Sequence, residues 1–175
     1  MIRILLLAIA IAAVAAALVF GGVFTPLGKA LPASARADLI VVEKDAHRMT
    51  LYARGRVLRT YVIALGRGGD GAKTKAGDAL TPEGHYEIDA HKADSGFYRA
   101  LHISYPSRMD RKVAAARRVA PGGDIMIHGL RNWTGWIGRW HRAIDWTDGC
   151  IAVTDDEMDE IWRAVPNGTP IEIRR

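Results

Sequence analysis

The sequence predicts a mainly β domain with two short helices, of the α+β class, behind an apolar leader. Three observations carry this. Short runs rich in β-branched residues, bounded by Gly, Pro and Asp, recur between Leu39 and Ile173. A helical period is found in two places only, near residues 110–119 and 154–165. No charged residue occurs from Ile4 to Gly28. A chain of 175 residues suits one compact domain with its own core.

Residues 1–24 read as a signal peptide or a membrane anchor. Ile4-Leu5-Leu6-Leu7 through Leu18-Val19-Phe20 is long enough to cross a bilayer, which takes about 20 apolar residues. Arg3 precedes it, as in the n-region of a secretory signal. Cleavage would fall at Ala33-Ser34-Ala35 or Ala35-Arg36-Ala37. The run exceeds an h-region of about 7–15 residues, which favours the anchor. Either way the domain, residues 38–175, is expected to be exported to the periplasm or cell envelope. The linker 25–37, with Pro26, Gly28 and Pro32, reads as a flexible tether.

Within the domain, Leu39-Ile40-Val41-Val42 is a strand. Met49–Tyr52 and Val57–Ala64 flank Arg54-Gly55 and read as a hairpin. Residues 66–78 are rich in Gly, Lys and Asp without periodicity and form a loop. Thr81-Pro82-Glu83-Gly84 turns into the strand His85–Ile88, and Ala100–Ser104 is another strand, ending before Pro106. Asp110–Val119 is a short surface helix. Asp124–Ile127 is a buried strand leading into His128-Gly129, and a loop of about twenty residues then runs to Gly149-Cys150. Ile151–Val153 is a short strand. Thr154-Asp155-Asp156-Glu157 is a capping box opening a helix whose Met158, Ile161, Trp162 and Val165 share one face. That helix stops at Pro166-Asn167-Gly168, and Ile171–Ile173 closes the chain as a strand.

Charge and cysteine content narrow the function. The net charge is +5, but residues 1–37 contribute Arg3, Lys29 and Arg36 and no acid, so residues 38–175 carry 21 basic against 19 acidic residues. That makes no strong field and argues against a nucleic-acid partner. Exported domains pair their cysteines, and a lone Cys150 cannot form an internal disulfide. Cysteine attacks as thiolate and needs a base, commonly histidine. Of six histidines, His128 is best placed, at a strand end before Gly129. Gly149 allows a sharp turn that exposes backbone N–H groups, as an oxyanion hole requires. The spacing fits a thiol acyltransferase. Zinc-hydrolase spacing such as His-Glu-x-x-His is missing, so no metal is expected.

Ile127-His128-Gly129, followed by Thr147-Asp148-Gly149-Cys150-Ile151, resembles the signature of L,D-transpeptidases with a YkuD-type catalytic domain. Upstream, Gly77–Tyr86 is similar to that family's Thr-Pro-x-Gly strand entry, and Leu101–Pro106 and Gly122–Gly129 resemble one branch of it. The resemblance spans Leu39 to Ile173. It implies a β-sandwich-like catalytic fold, Cys150 as nucleophile, His128 as base, and an oxyanion held by Gly149 and Cys150. The implied substrate is a peptidoglycan stem peptide, attacked at its third residue with loss of the terminal D-alanine. An amine on an acceptor strand or wall-linked protein then takes the acyl group, or water does, which is the L,D-carboxypeptidase outcome; the alternatives are a hydrolase that releases wall-linked protein and a wall-binding module without catalysis. No cofactor is implied. This chain departs from many members in having Ala152 where they carry Arg, and Asp148 before Gly-Cys.

Other residues are candidates of lesser weight. Trp133, Trp136, Trp140 and Trp146 crowd the loop between His128 and Cys150, either as a wall for sugar or peptide or to hold the loop folded. Arg131, Arg139 and Arg142 in the same loop suit carboxylates or a solvated face. His141 reads as an exposed loop histidine or as a partner of the site. His102 is a candidate for lining it, with Thr147 and Asp148 beside the nucleophile. Asp148 would orient a histidine or cap a turn. His47, His85 and His91 read as structural.

Overall fold

The computed structural model describes residues 30–175, and the apolar leader falls outside them. Eight strands are formed: β1 (Leu39–Glu43), β2 (Arg48–Ala53), β3 (Arg56–Val62), β4 (Gly84–Ser95), β5 (Tyr98–Ile103), β6 (Met126–His128), β7 (Ile151–Ala152) and β8 (Pro170–Arg174). Among the described residues two α-helices accompany them, α1 (Arg108–Ala116) and α2 (Asp155–Ala164). The strands make one mixed sheet in the order β3-β2-β1-β8-β4-β5-β6-β7. The pairs β1–β8 and β6–β7 are parallel and the others antiparallel.

The strand β4 turns the sheet. Residues 84–87 pair with β8, whereas Ile88 and those after it pair with β5, with a break in register between Ile88 and Ala90. Such a bulge bends a strand and sharpens its twist. The two ends of the strand order then meet, because Ala64 just past β3 bridges Ala152 of β7. Ala64 donates to the Ala152 carbonyl at 3.0 Å and accepts from Ala152 at 2.8 Å. The inside is filled by Ile40, Val42, Leu51, Ile88, Ile103 and Ile127, all fully buried. Helix α2 closes it with Met158 and Ile161.

Helix α2 begins at the capping box read from the sequence, with Thr154 and Glu157 bonding reciprocally. Helix α1 starts earlier than expected, at Arg108. Ser107 and Asp110 form a second capping box there, with the carboxylate at N3 supplied by Asp rather than Glu. It ends at Ala116, since Arg118 takes a left-handed φ of 56°. The strand expected at His85–Ile88 runs on to Ser95. Part of the segment read as a tether, from residue 30 on, is described and touches the domain. Leu31 and Ala37 are buried in the core, and Ala37 donates to the Ala164 carbonyl at 2.7 Å.

The loop before β4 is fastened from within. Asp78, buried, accepts from Lys73 Nζ at 2.7 Å and from the backbone N–H groups of Thr74, Lys75 and Leu80. Burial works against the ionised carboxylate, but the Lys73 ammonium and these three N–H groups prevail and hold its pKa down at about 2. The stabilisation is complete above the ordinary value near 3.8 and is lost as pH falls toward 2. Asp78→Asn is therefore expected to lower stability by about 2 kcal/mol at neutral pH and to remove part of the acid-side slope. Denaturant titrations at pH 7, 4 and 2.5 check this, and equal losses at all three values would contradict it.

Candidate active site

The site grows from the short parallel pair β6–β7. Ile127 is opposite Ile151 and His128 opposite Ala152. Side chains alternate along a strand. Ile127 and Ile151 are fully buried in the core cluster, so Met126, His128 and Cys150 stand on the other side. There they line a cavity of about 990 Å³. Nucleophile and base candidates, separated by twenty-one residues of chain, thus share one face of neighbouring strands.

The base is oriented by its own backbone neighbour. His128 Nδ1 lies 2.6 Å from the Gly129 carbonyl. A carbonyl only accepts, so Nδ1 carries the proton and Nε2 keeps its lone pair. The ring is 4% exposed and packs on Phe97, with ring centres 4.6 Å apart, and on Trp146 at 5.7 Å. Burial pulls its pKa below the usual value, with the Gly129 carbonyl opposing. Gly129 must be glycine, because a Cβ there would lie 2.7 Å from Asp155 Oδ1. Asp155 also accepts from the Leu130 N–H at 2.8 Å, which ties the His-Gly turn to the start of α2.

The nucleophile turn is held by Thr147. Its hydroxyl accepts from the Gly149 N–H at 3.1 Å and donates to the Cys150 carbonyl at 2.8 Å. Its backbone bonds Leu65 and Arg67. Gly149 adopts φ 121°, and a Cβ would come within 2.6 Å of the Leu80 carbonyl, so a side chain is excluded on both counts. The Cys150 thiol donates to the Asp124 carbonyl at 3.5 Å. Burial raises its pKa, the Met126 N–H opposes, and the Asp148 and Asp124 carboxylates raise it further. At rest both thiol and imidazole are neutral.

The remaining candidates separate clearly. Arg131, Thr147 and Asp148 line the cavity. Asp148 is exposed and paired with Arg67 at 2.7 Å, and the partner that orients His128 is the Gly129 carbonyl instead. His102 lies on β5 and is bonded to Asp89 at 2.6 Å; it does not line the cavity. Trp133 is 96% exposed and also outside the lining. Arg142 is buried in an ion pair with Glu157. His47 pairs with Asp145 at 2.9 Å and His91 with Asn167 at 2.6 Å, as partners in the fold.

The long loop is not irregular throughout. Gly135–Ala143 forms 3-10 turns kinked at Gly138, and Ile137, Trp140 and His141 from it roof the cavity. Here the sequence reading missed most. His141 is buried, not exposed. Phe97, which packs on the base, gave no signal beyond one aromatic in a turn. Asp155 looked like a cap residue only.

Comparison with known proteins bears on the whole domain. Residues 37–173 match the YkuD family, the L,D-transpeptidase catalytic domain. YafK of Escherichia coli K12, whose name assigns it to the L,D-transpeptidases, is 30% identical over 133 residues, covering 72% of this chain and 46% of YafK. The chain thus spans just under half the length of that relative. Among solved structures, the helical cell shape determining protein Pgp2 of Campylobacter jejuni superposes with a TM-score of 0.59 at 20% identity, over 86% of this chain and 50% of its own. An L,D-transpeptidase of Mycobacterium smegmatis gives 0.52 at 18%, over 79% and 59%. At these identities the likeness to the solved structures is one of fold.

The resting electrostatics predict the behaviour of the thiol. Alkylation of Cys150 by iodoacetamide should rise only at a pH above the ordinary thiol range, because burial raises its pKa. A rate already at its plateau between pH 6 and 7 would mean a thiolate–imidazolium pair and would contradict the neutral resting state.

Proposed function

The chain belongs to the L,D-transpeptidase catalytic-domain family, and we propose that it is a cysteine acyltransferase acting on peptidoglycan stem peptides. The observation that carries this reading is the shared face of His128 and Cys150 over the cavity, with His128 Nε2 left as an acceptor by the Gly129 carbonyl.

Catalysis begins when substrate enters and the thiol leaves the Asp124 carbonyl. The Sγ–H proton passes to His128 Nε2 as sulfur attacks the carbonyl carbon of the third stem residue. The Cys150 N–H, with that of Gly149, binds the oxyanion; the Gly149 N–H must loosen from Thr147 to do so. The tetrahedral intermediate breaks its C–N bond, and D-alanine leaves with the proton from His128. A thioester remains on Cys150. An incoming amine, on an acceptor strand or wall-linked protein, gives its proton to His128, forms the new amide and frees the thiol. Water in place of the amine gives the carboxypeptidase outcome. No step calls for a metal or organic cofactor.

The thiol and imidazole are better kept neutral until the substrate is bound. A neutral pair has no charge to desolvate, and a cavity closed to water then makes the developing charges worth more to nearby donors. The domain is proposed to work in the periplasm or cell envelope. The apolar run 4–24 supports this, as leader or tether.

Muropeptides incubated with the full-length protein should lose D-alanine, and mass spectrometry should show either cross-linked dimers or shortened monomers. Dimers identify a transpeptidase, and monomers alone a hydrolase under those conditions. Cys150→Ala should abolish both products while the fold survives. His128→Ala should slow acylation by roughly 10²–10⁴. Turnover by Cys150→Ala at the parent rate would refute the mechanism, and no turnover by the parent would favour a wall-binding role.

A further inference from the structure

One buried polar atom has no use in the fold or in the chemistry above. His141 lines the cavity and is 7% exposed. Its Nδ1 lies 3.4 Å from Trp146 Nε1. An indole N–H only donates, so Nδ1 accepts and the proton of the neutral ring sits on Nε2. Burial, aided by the neighbouring Arg142 guanidinium, pushes the pKa of His141 down to about 4, so the ring is neutral. Nε2–H is then a donor, and among the described residues no acceptor meets it. A buried donor left unpaired costs roughly 1–3 kcal/mol. Native structures seldom keep one without a use.

The next residue repeats the pattern. Arg142 Nη2 pairs with Glu157, yet Arg142 Nε is also buried without a partner. Arg142 itself does not line the cavity, but its guanidinium adds positive charge next to His141. An anionic oxygen therefore suits the His141 N–H better than a neutral one, since charge-assisted bonds are about twice as strong. His141 and His128 flank the same indole, with ring centres 6.3 Å and 5.7 Å from Trp146. The two imidazoles are thus at most about 12 Å apart, the span of three to four extended residues of peptide. The 3-10 segment that carries His141 is kinked at Gly138, whose φ is 50° and ψ −133°.

We propose that His141 Nε2–H is a carboxylate-binding donor that reads a carboxylate of the acyl-donor peptide. This rests on the stem-peptide reading above. A stem peptide offers carboxylates at its C-terminus and on side chains, and the shared chemistry is what His141 recognises.

The test uses full-length Cys150→Ala protein, which binds without turnover. Calorimetry compares a tetrapeptide with free carboxylates against three versions, amidated at the C-terminus, at the second-residue side chain, or at the third. One amidated peptide should bind about tenfold more weakly, as loss of one charge-assisted bond implies, and its identity names the source. Adding His141→Phe should remove that preference, while His141→Gln, which restores an N–H near Nε2, should keep part of it. Thermal melts establish that each variant is folded. In parallel, the His141 ring nitrogens are followed by NMR as N-acetyl-D-alanine is added. A shift there without peptide binding would uphold the carboxylate site and refute the stem-peptide substrate. Equal affinity for all four peptides, or a preference that survives His141→Phe, would overturn the proposal, as would a silent ring with no peptide bound. Nε2 would then be satisfied by a buried water only.

Discussion

The site depends on one register, the parallel pairing of Ile127 with Ile151. Two isoleucines anchored in the core fix which way their neighbours face. Slipping either strand by one residue would turn His128 or Cys150 into the apolar core and take an isoleucine out of it, because a strand's side chains alternate with period two. The hydrophobic penalty of that slip, on the order of 2 kcal/mol for one isoleucine, is what holds nucleophile and base on a common face. The Ala64–Ala152 bridge adds to it by pinning β7 from its other side, where the strand order closes.

Around that pair the chain uses glycines and carboxylates for placement. Gly129 and Gly149 stand where a Cβ would collide with Asp155 and with the Leu80 carbonyl. Each therefore lets another segment approach the backbone closely, the start of α2 in one case and the loop before β4 in the other. Asp155 and Asp78 fasten those segments through backbone N–H groups. The base and the thiol are left to backbone partners, the Gly129 and Asp124 carbonyls. A carbonyl orients a neutral imidazole without adding charge, which agrees with burial lowering the pKa of His128 and raising that of Cys150.

The segment between the two catalytic candidates takes a different part. Its 3-10 turns carry Ile137 and Trp140 over the cavity while Trp136 stays largely exposed. Trp146 at its end serves two imidazoles at once, as a wall for His128 and a donor to His141. One indole thereby touches both imidazoles of the cavity.

By itself the sequence determined the class of fold, most of the strands, the capping box of α2, and the pairing of Cys150 with His128 as candidates. These are local signals: β-branched runs, Gly-bearing turns and a lone cysteine between a glycine and an apolar strand. The same locality limited it. The capping box of α1 uses Asp110, the docking of Leu31 and Ala37 needs the finished core, and the 3-10 turns lie in a stretch too irregular to show a period. Only the tertiary structure decided which carbonyl orients His128, that Asp148 goes to Arg67, that His102 goes to Asp89, and that His141 is buried. Those outcomes depend on contacts between residues far apart in the chain, and a side chain's partner and exposure are set by what packs beside it, which no local pattern encodes.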